Sequence, residues 1–139
     1  MTASWHHAKS WPGIPADVNS ARGFTSGCLG THHLMGYEPA LTLVVSELCT
    51  NAVVHAQTPF TVTLERRMDV LIVEVRDGAL APPTKAAFSD VTAGNGRGLQ
   101  LVESFSSSWG VWPRQDGKSV WATFTVRPGD LPPGDVYGF

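Results

Sequence analysis

The sequence lacks the features that mark several large classes of protein. Its 139 residues include only two cysteines, Cys28 and Cys49, which argues against a disulfide framework and favours buried thiols in a reducing compartment. There is no excess of positive charge, because the formal net charge is −2, and this argues against a nucleic-acid-binding protein. No uninterrupted apolar run approaches the length of a membrane span, and the N-terminus has no signal-peptide pattern. We therefore expect a cytoplasmic protein that binds neither nucleic acids nor membranes.

The length and the apolar content of 42% suit one domain with a single substantial core. Two helices are predicted in the first half of the chain. Asp17 is a plausible N-cap for the first, whose buried side would contain Val18, Ala21, Thr25, Cys28 and Leu29. The second, over residues 39–56, is apolar almost all the way round and should be buried.

The second half of the chain alternates between apolar and polar residues, as strands with one buried face do. Residues 60–65 and 71–76 should form an antiparallel hairpin, and residues 108–112 and 120–126 a final pair of strands. A short amphipathic helix is expected over residues 99–105. This order predicts an α+β fold, a two-layer α/β sandwich with helices on one face of a mainly antiparallel (mixed) sheet.

The ends of the chain do not share this regular patterning. Residues 1–11 are interpreted as an irregular lead-in with room for one short edge strand, residues 12–127 as the single domain, and residues 128–139 as a tail rich in Pro and Gly. Residues 77–98 form a long predicted loop inside the domain. Since loops of that length are usually functional, we expect a lid.

Polar residues interrupt the apolar second helix at regular spacing. Glu47, Asn51 and His55 follow one another at intervals of four, which places them in one strip of an α-helix. A buried, unpaired carboxylate costs several kcal/mol, so the strip needs a compensating group. One possibility is a metal ion with a bound ligand. The other is an internal ion pair, either Glu47–Arg22 or Glu47–Arg97.

The carboxylate of Glu47 and the amide oxygen of Asn51 would suit Mg²⁺ chemistry. This ion prefers oxygen ligands and is usually held by one or two protein groups together with substrate phosphates. Asn51 in contact with the metal, and Glu47 acting on a water or hydroxyl, would suit phosphoryl transfer.

A glycine-rich segment leads directly into the third helix. Gly94, Gly96 and Gly98 would let the backbone approach a ligand closely, and the first helical turn offers N–H groups to an anion. Arg97 would add a positive charge to such a site. The alternative is a simple hinge loop.

Asp77 follows a predicted strand and precedes Gly78. Its carboxylate could accept a hydrogen bond from an exocyclic amine such as that of adenine, or it could be an ordinary turn residue. The Gly117-Lys118-Ser119 segment resembles the end of a phosphate-binding P-loop. It lies between two strands, and Trp112 stands where the P-loop glycine is required, so we discount it.

Taken together, these segments resemble the ATPase domain shared by gyrase, heat-shock chaperones, histidine kinases and mismatch-repair proteins. Within that group the chain is most similar to the small stand-alone anti-sigma-factor serine kinases of bacteria. The likeness extends over residues 12–127. The matching segments are Val45-Ser46-Glu47-Leu48-Cys49-Thr50-Asn51-Ala52, Gly96-Arg97-Gly98-Leu99, Trp109-Gly110-Val111 and Asp116-Gly117-Lys118-Ser119-Val120-Trp121.

The resemblance implies that ATP binds between the buried helix and the sheet. Asn51 would hold Mg²⁺, Glu47 would act as base toward a serine, and Asp77 with Gly78 would contact adenine. Residues 94–99 (Gly94, Gly96, Arg97, Gly98 and Leu99 among them) would cradle the phosphates, with His55 nearby. The implied partners are an anti-anti-sigma protein as substrate and a sigma factor, and the implied assembly is a homodimer.

The chain departs from the family pattern at the adenine loop. The family usually has Asp-x-Gly there, whereas this chain has Asp77-Gly78 followed by the proline pair Pro82-Pro83. This motivates a rival hypothesis, in which the protein sequesters a transcription regulator and nucleotide is only a structural or switching ligand. A third possibility is a structural domain without nucleotide.

Overall fold

The computed structural model describes residues 4–79 and 98–127, apart from the side chain of Leu99. Within these ranges three α-helices and five strands alternate with short connections. In chain order the elements are β1 (Trp5–Trp11), α1 (Ala16–Thr31), a 3₁₀ turn (Met35–Tyr37), α2 (Glu38–Asn51), a π-helical turn (Ala52–Ala56), β2 (Phe60–Arg67), β3 (Val70–Asp77), α3 (Gly98–Phe105), β4 (Ser108–Arg114) and β5 (Gly117–Thr125).

The five strands form one sheet in the order β1-β2-β3-β5-β4, and all four pairings are antiparallel. The helices pack on one face of it, which confirms the predicted α+β sandwich. The edge strand for which the lead-in had room is β1. It pairs with β2 along its whole length, from Trp5 opposite Arg66 to Trp11 opposite Phe60.

The core lies between the sheet and the helices because each strand has one apolar face. Rows of residues run across the sheet, such as Val62–Val75–Val120 and Leu64–Val73–Ala122. All six of these residues are buried. Burying one such Val or Leu side chain contributes about 1.5–3 kcal/mol, so these rows fix which face of the sheet meets the helices.

Helix α1 begins differently from the prediction. Its N-cap is Pro15, and Asp17 lies inside the first turn. Asp17 Oδ2 instead accepts hydrogen bonds from the backbone N–H groups of Gly13 and Ile14, both at 2.9 Å. The carboxylate thus serves residues that precede the helix, where the N-terminal end of the dipole also favours a negative charge.

Helix α2 is the central element of the helical layer, in contact with α1 and α3 and with the sheet. By length and composition alone, the stretch Met35–Ala56 could cross a membrane, with a mean hydropathy of 1.2. A core helix meets the same criterion, and seven residues of α2 are buried within the domain. Packing against the sheet and the other two helices accounts for this apolar sequence.

Several predictions lie outside the described residues. These are residues 80–97 of the predicted lid, the phosphate-binding residues Gly94, Gly96 and Arg97, and the tail over residues 128–139.

Candidate functional site

Glu47 is a half-buried carboxylate on the last turns of α2. Among the described residues, the ion pairs are Arg67–Glu65, Arg76–Asp116, Arg114–Glu74 and Lys118–Asp77, so the alternative Glu47–Arg22 pair is not formed. The other alternative, Glu47–Arg97, lies outside the described residues. Burial raises the pKa of Glu47 above its ordinary value, because desolvation disfavours the ionised form. An ionised Glu47 is therefore a stronger base than an exposed glutamate.

Asn51 ends α2 one turn after Glu47 and is only 3% exposed. Within residues 4–79 and 98–127, no hydrogen bond joins its side-chain amide to another group. Buried amides are normally hydrogen-bonded, because burying one without a partner costs free energy. The amide of Asn51 therefore has hydrogen-bonding capacity that a ligand at this end of α2 could use.

The helix changes its winding immediately after Asn51. Residues Ala52–Ala56 form a π-helical turn, and Gln57, in the left-handed conformation with φ of 54°, donates its N–H to the carbonyl of Ala52. Wider winding rotates His55 away from the direction that α-helical spacing would give it. His55 is exposed. Glu47 and Asn51 therefore lie in one strip of the helix, as predicted, whereas His55 does not lie in line with them.

Asp77 lies at the end of β3 on the inward face of the sheet, beside Lys118 of β5. Lys118 Nζ lies 2.6 Å from Asp77 Oδ2, and the two side chains are 4% and 3% exposed. The other carboxylate oxygen, Oδ1, accepts the backbone N–H of Ala79 at 2.8 Å. Asp77 is thus both a turn residue and half of a buried ion pair. Its predicted contact with adenine stays a prediction.

The backbone around this pair is held from two sides. The N–H of Gly78 donates to Thr58 Oγ1 at 2.8 Å, which joins the end of β3 to the segment that follows the π-helical turn. Gly78 also faces the Thr58 side chain so closely that a Cβ there would lie 3.1 Å from Thr58 Cγ2. The end of α2 and the end of β3 therefore meet at one end of the domain.

An open pocket of about 250 Å³ lies at the same end of the sheet. It is lined by Pro59, Thr61, Arg76, Asp77, Gly78 and Asp116. Thr61 and Arg76 of this lining belong to the outward faces of β2 and β3, so the pocket opens on the face of the sheet opposite the helices. The Asp77 side chain is only 3% exposed and is bonded to Lys118.

Sequence reasoning missed Lys118 as a partner of Asp77, although the alternation of β5 contains the signal. Lys118 is in phase with Val120, Ala122 and Phe124, the inward residues of that strand. An inward lysine needs a carboxylate partner, since an unpaired buried charge is costly. Asp77 is likewise in phase with the inward residues of β3. Because both residues face inward on their strands, the two alternation patterns considered together would have suggested this ion pair.

The structure describes only the end of the predicted phosphate-binding segment, residues 94–99. Helix α3 begins at Gly98, which is buried, and α3 packs against α2. The start of α3 therefore belongs to the same helical layer as Glu47 and Asn51. Its first-turn N–H groups are of the kind that bind anions, and Leu99 lies in that turn.

The donor set in α2 fits a magnesium ion. Among the described residues there is no group of three or more His, Cys, Asp or Glu side chains that could hold a metal by themselves. Magnesium does not need such a group, because water and phosphate oxygens complete its shell. The amide oxygen of Asn51 is an oxygen ligand of the required kind, and the carboxylate of Glu47, one turn away, is left to act on a water or hydroxyl.

A model of a known protein family matches most of the chain. The family model of the histidine kinase-like ATPase domain matches residues 12–124 of this chain. No curated protein matches it. The matched range contains α2, Asp77, Lys118 and the start of α3, that is, each described part of the candidate site.

Proposed function

The chain belongs to the histidine kinase-like ATPase domain family, and on that premise we propose that it is an ATP- and Mg²⁺-dependent protein-serine kinase of the anti-sigma-factor type. The family supports a regulatory domain that binds ATP. The kinase activity, the metal and the partners are the proposal. Its substrate would be a serine of an anti-anti-sigma protein, its other partner a sigma factor, and its working form a homodimer in the cytoplasm.

The observation that carries the proposal is the state of Glu47. It is a half-buried carboxylate without an ion-pair partner among the described residues, and burial raises its pKa. A general base needs these properties, because a fully neutralised or fully solvated carboxylate takes a proton less readily. Asn51, one turn away, supplies a buried amide for the nucleotide side of the reaction.

The proposed step is an in-line phosphoryl transfer. Glu47 takes the proton of the acceptor serine hydroxyl as the serine oxygen bonds to the γ-phosphorus, and the bond from that phosphorus to the bridging oxygen of ADP breaks. Asn51 would hold Mg²⁺, which when bound neutralises charge on the phosphates. The N–H groups at the start of α3 would bind phosphate oxygens.

Phosphate transfer from γ-labelled ATP to a cognate anti-anti-sigma protein tests the proposal. We expect Glu47→Gln to lower the transfer rate by about 10²–10⁴-fold while nucleotide binding is retained, as for loss of a general base. Glu103→Gln is the matched control, because Glu103 is exposed on α3. Equal label transfer by wild type and Glu47→Gln would show that Glu47 is not the base.

A second candidate is a sequestration module that binds nucleotide without transferring phosphate. It is favoured by the ion pair at Asp77, which already engages the carboxylate assigned to adenine. In that case Mg-ATP raises the melting temperature and no phosphoserine forms on any partner. Detection of phosphoserine by mass spectrometry would rule this candidate out.

A further inference from the structure

Lys118 lies on the inward face of β5, where it meets Asp77, the residue assigned to the nucleotide base. The β3–β5 register places it directly opposite Asp77, and its ammonium bonds Oδ2 of that residue at 2.6 Å. Both side chains are almost fully buried. Charge-assisted bonds of this kind are short and strong, and low surrounding dielectric strengthens them further.

The ion pair changes which hydrogen bonds Asp77 can make with a ligand. An isolated carboxylate only accepts hydrogen bonds, so it favours a ligand that donates and repels one that presents an oxygen. Here Oδ1 already accepts the Ala79 N–H and Oδ2 already accepts the Lys118 ammonium. The ammonium carries three donors and makes one hydrogen bond within the described residues.

Purine bases differ at the position that such a pair would contact. Adenine has a 6-amino group, which donates, next to a ring nitrogen that accepts. A 6-keto purine has an oxygen that accepts, next to a ring N–H that donates. A lone carboxylate held opposite position 6 discriminates between the two, since it can bond an amine at that position and is repelled by a keto oxygen there. A carboxylate bonded to an ammonium offers an acceptor and a donor side by side, and so can satisfy either edge.

We infer that Lys118 is a specificity-determining residue of the nucleotide site. By holding Asp77 in a buried ion pair it suppresses selection for the 6-amino group, so that the site accepts 6-keto purine nucleotides nearly as well as ATP. This inference rests on the proposed nucleotide binding. It does not depend on kinase turnover.

A purely structural role for the ion pair gives a different expectation. If Lys118 only fastened β5 to β3, its loss would change the affinities for all nucleotides in parallel, and their ratio would stay constant. The ratio of dissociation constants for ITP and ATP therefore separates the two roles. ITP has the same triphosphate and ribose as ATP and carries a keto oxygen in place of the 6-amino group.

The first test uses the wild-type chain and needs no variant. Isothermal titration calorimetry with Mg-ATP and Mg-ITP should give dissociation constants within about tenfold of each other, whereas a mismatched charged hydrogen bond would separate them by more than that. A preference for ATP beyond tenfold overturns the role of Lys118 and leaves the proposed function standing. If neither nucleotide binds, the proposed function fails and this inference fails with it.

The second test removes the ammonium. In Lys118→Met, Asp77 is released to the base, and the ITP-to-ATP ratio of dissociation constants should rise at least about tenfold, mainly through tighter ATP binding. Lys118→Leu, which also removes the donor beside Asp77, is the second variant if the methionine form does not fold, and its ratio should rise as well. Lys9→Met, on β1, is the control and should leave the ratio unchanged. An unchanged ratio in a folded Lys118 variant contradicts the inference.

Discussion

Gly117 lies against the backbone of Asp77, so closely that a Cβ atom at position 117 would overlap the Asp77 carbonyl oxygen. Its φ of +154° is also one that residues with side chains rarely adopt. No such contact is compatible with a side chain. The glycine lets the start of β5 approach the end of β3, and this approach brings Lys118 opposite Asp77.

Gly117→Ala should therefore destabilise the fold. We expect the free energy of unfolding to fall by about 2–3 kcal/mol, because either the β3–β5 ladder or the backbone at 117 must distort. Urea unfolding followed by circular dichroism measures this change. Gly27→Ala in α1 is the matched control: a Cβ there meets nothing within 4 Å, and the substitution should stabilise the helix by about 0.5–1 kcal/mol. A Gly117→Ala protein as stable as wild type would contradict the close approach.

Glu47→Gln should change how stability depends on pH. The pKa of Glu47 is raised by burial, so the folded chain binds this proton more tightly than the unfolded chain, and ionising the group costs stability. That cost is absent below the unfolded pKa, about 4.3, and is complete above the folded pKa. The variant cannot ionise, so it should gain stability relative to wild type as the pH rises through this window.

The measurement is the difference in free energy of unfolding between Glu47→Gln and wild type, determined by urea titration at several pH values from about 4 to about 8. Taking the difference cancels the groups that the two proteins share. Glu103→Gln, at an exposed position, should show a nearly flat difference. A flat difference for Glu47→Gln as well would show that its carboxyl is not desolvated.

Asn51→Ala should remove most of the stabilisation given by Mg-ATP. At a ligand concentration of 100 times Kd, the wild-type chain should gain about 2.7 kcal/mol, seen as a rise in melting temperature. If Asn51 holds the metal, the variant should lose most of this gain in the presence of Mg²⁺ and respond like wild type to ATP with EDTA. Asn19→Ala, the same substitution at an exposed position of α1, should keep the full response. An Asn51→Ala protein that keeps it too would exclude this residue as the ligand.

The two cysteines should react with alkylating agents at different rates. Burial raises the pKa of both thiols, and Cys49 is fully buried whereas Cys28 is 8% exposed. Because the thiolate is the reactive form, iodoacetamide should label Cys28 first and Cys49 only when the chain unfolds. Peptide mass spectrometry over time follows both sites. In urea the two rates should be similar, and equal rates in the folded protein would contradict the buried position of Cys49.

Much of the fold was predictable because it depends on local periodicity. The alternation in residues 60–65 and 71–76 predicted the β2–β3 hairpin, and the apolar stretch over residues 39–56 predicted the central helix. Each of these patterns reflects which side chains one helix or strand must bury, and a short stretch of sequence is enough to show it. The predicted placement of Glu47 and Asn51 one turn apart is confirmed for the same reason, since both residues lie in regular α-helix.

Two details at the helix ends differ from what the local pattern predicted. Asp17 serves the N–H groups before α1 instead of capping it, and the π-helical turn moves His55 out of line with Asn51. Local propensity does not determine either outcome, because each is selected by how the chain enters or leaves a packed helix.

By itself, then, the sequence determined the order of elements, the buried helix with its carboxylate and amide, and the segments that resemble an ATPase site. Only the tertiary structure decided what Asp77 faces. It and Lys118 are 41 residues apart in the chain and become neighbours through the β3–β5 register, with Gly117 allowing the approach. Strand alternation marks each of the two residues as inward-facing, but only the pairing of β3 with β5 decides that they meet, and the meeting is required because the core cannot hold either charge alone.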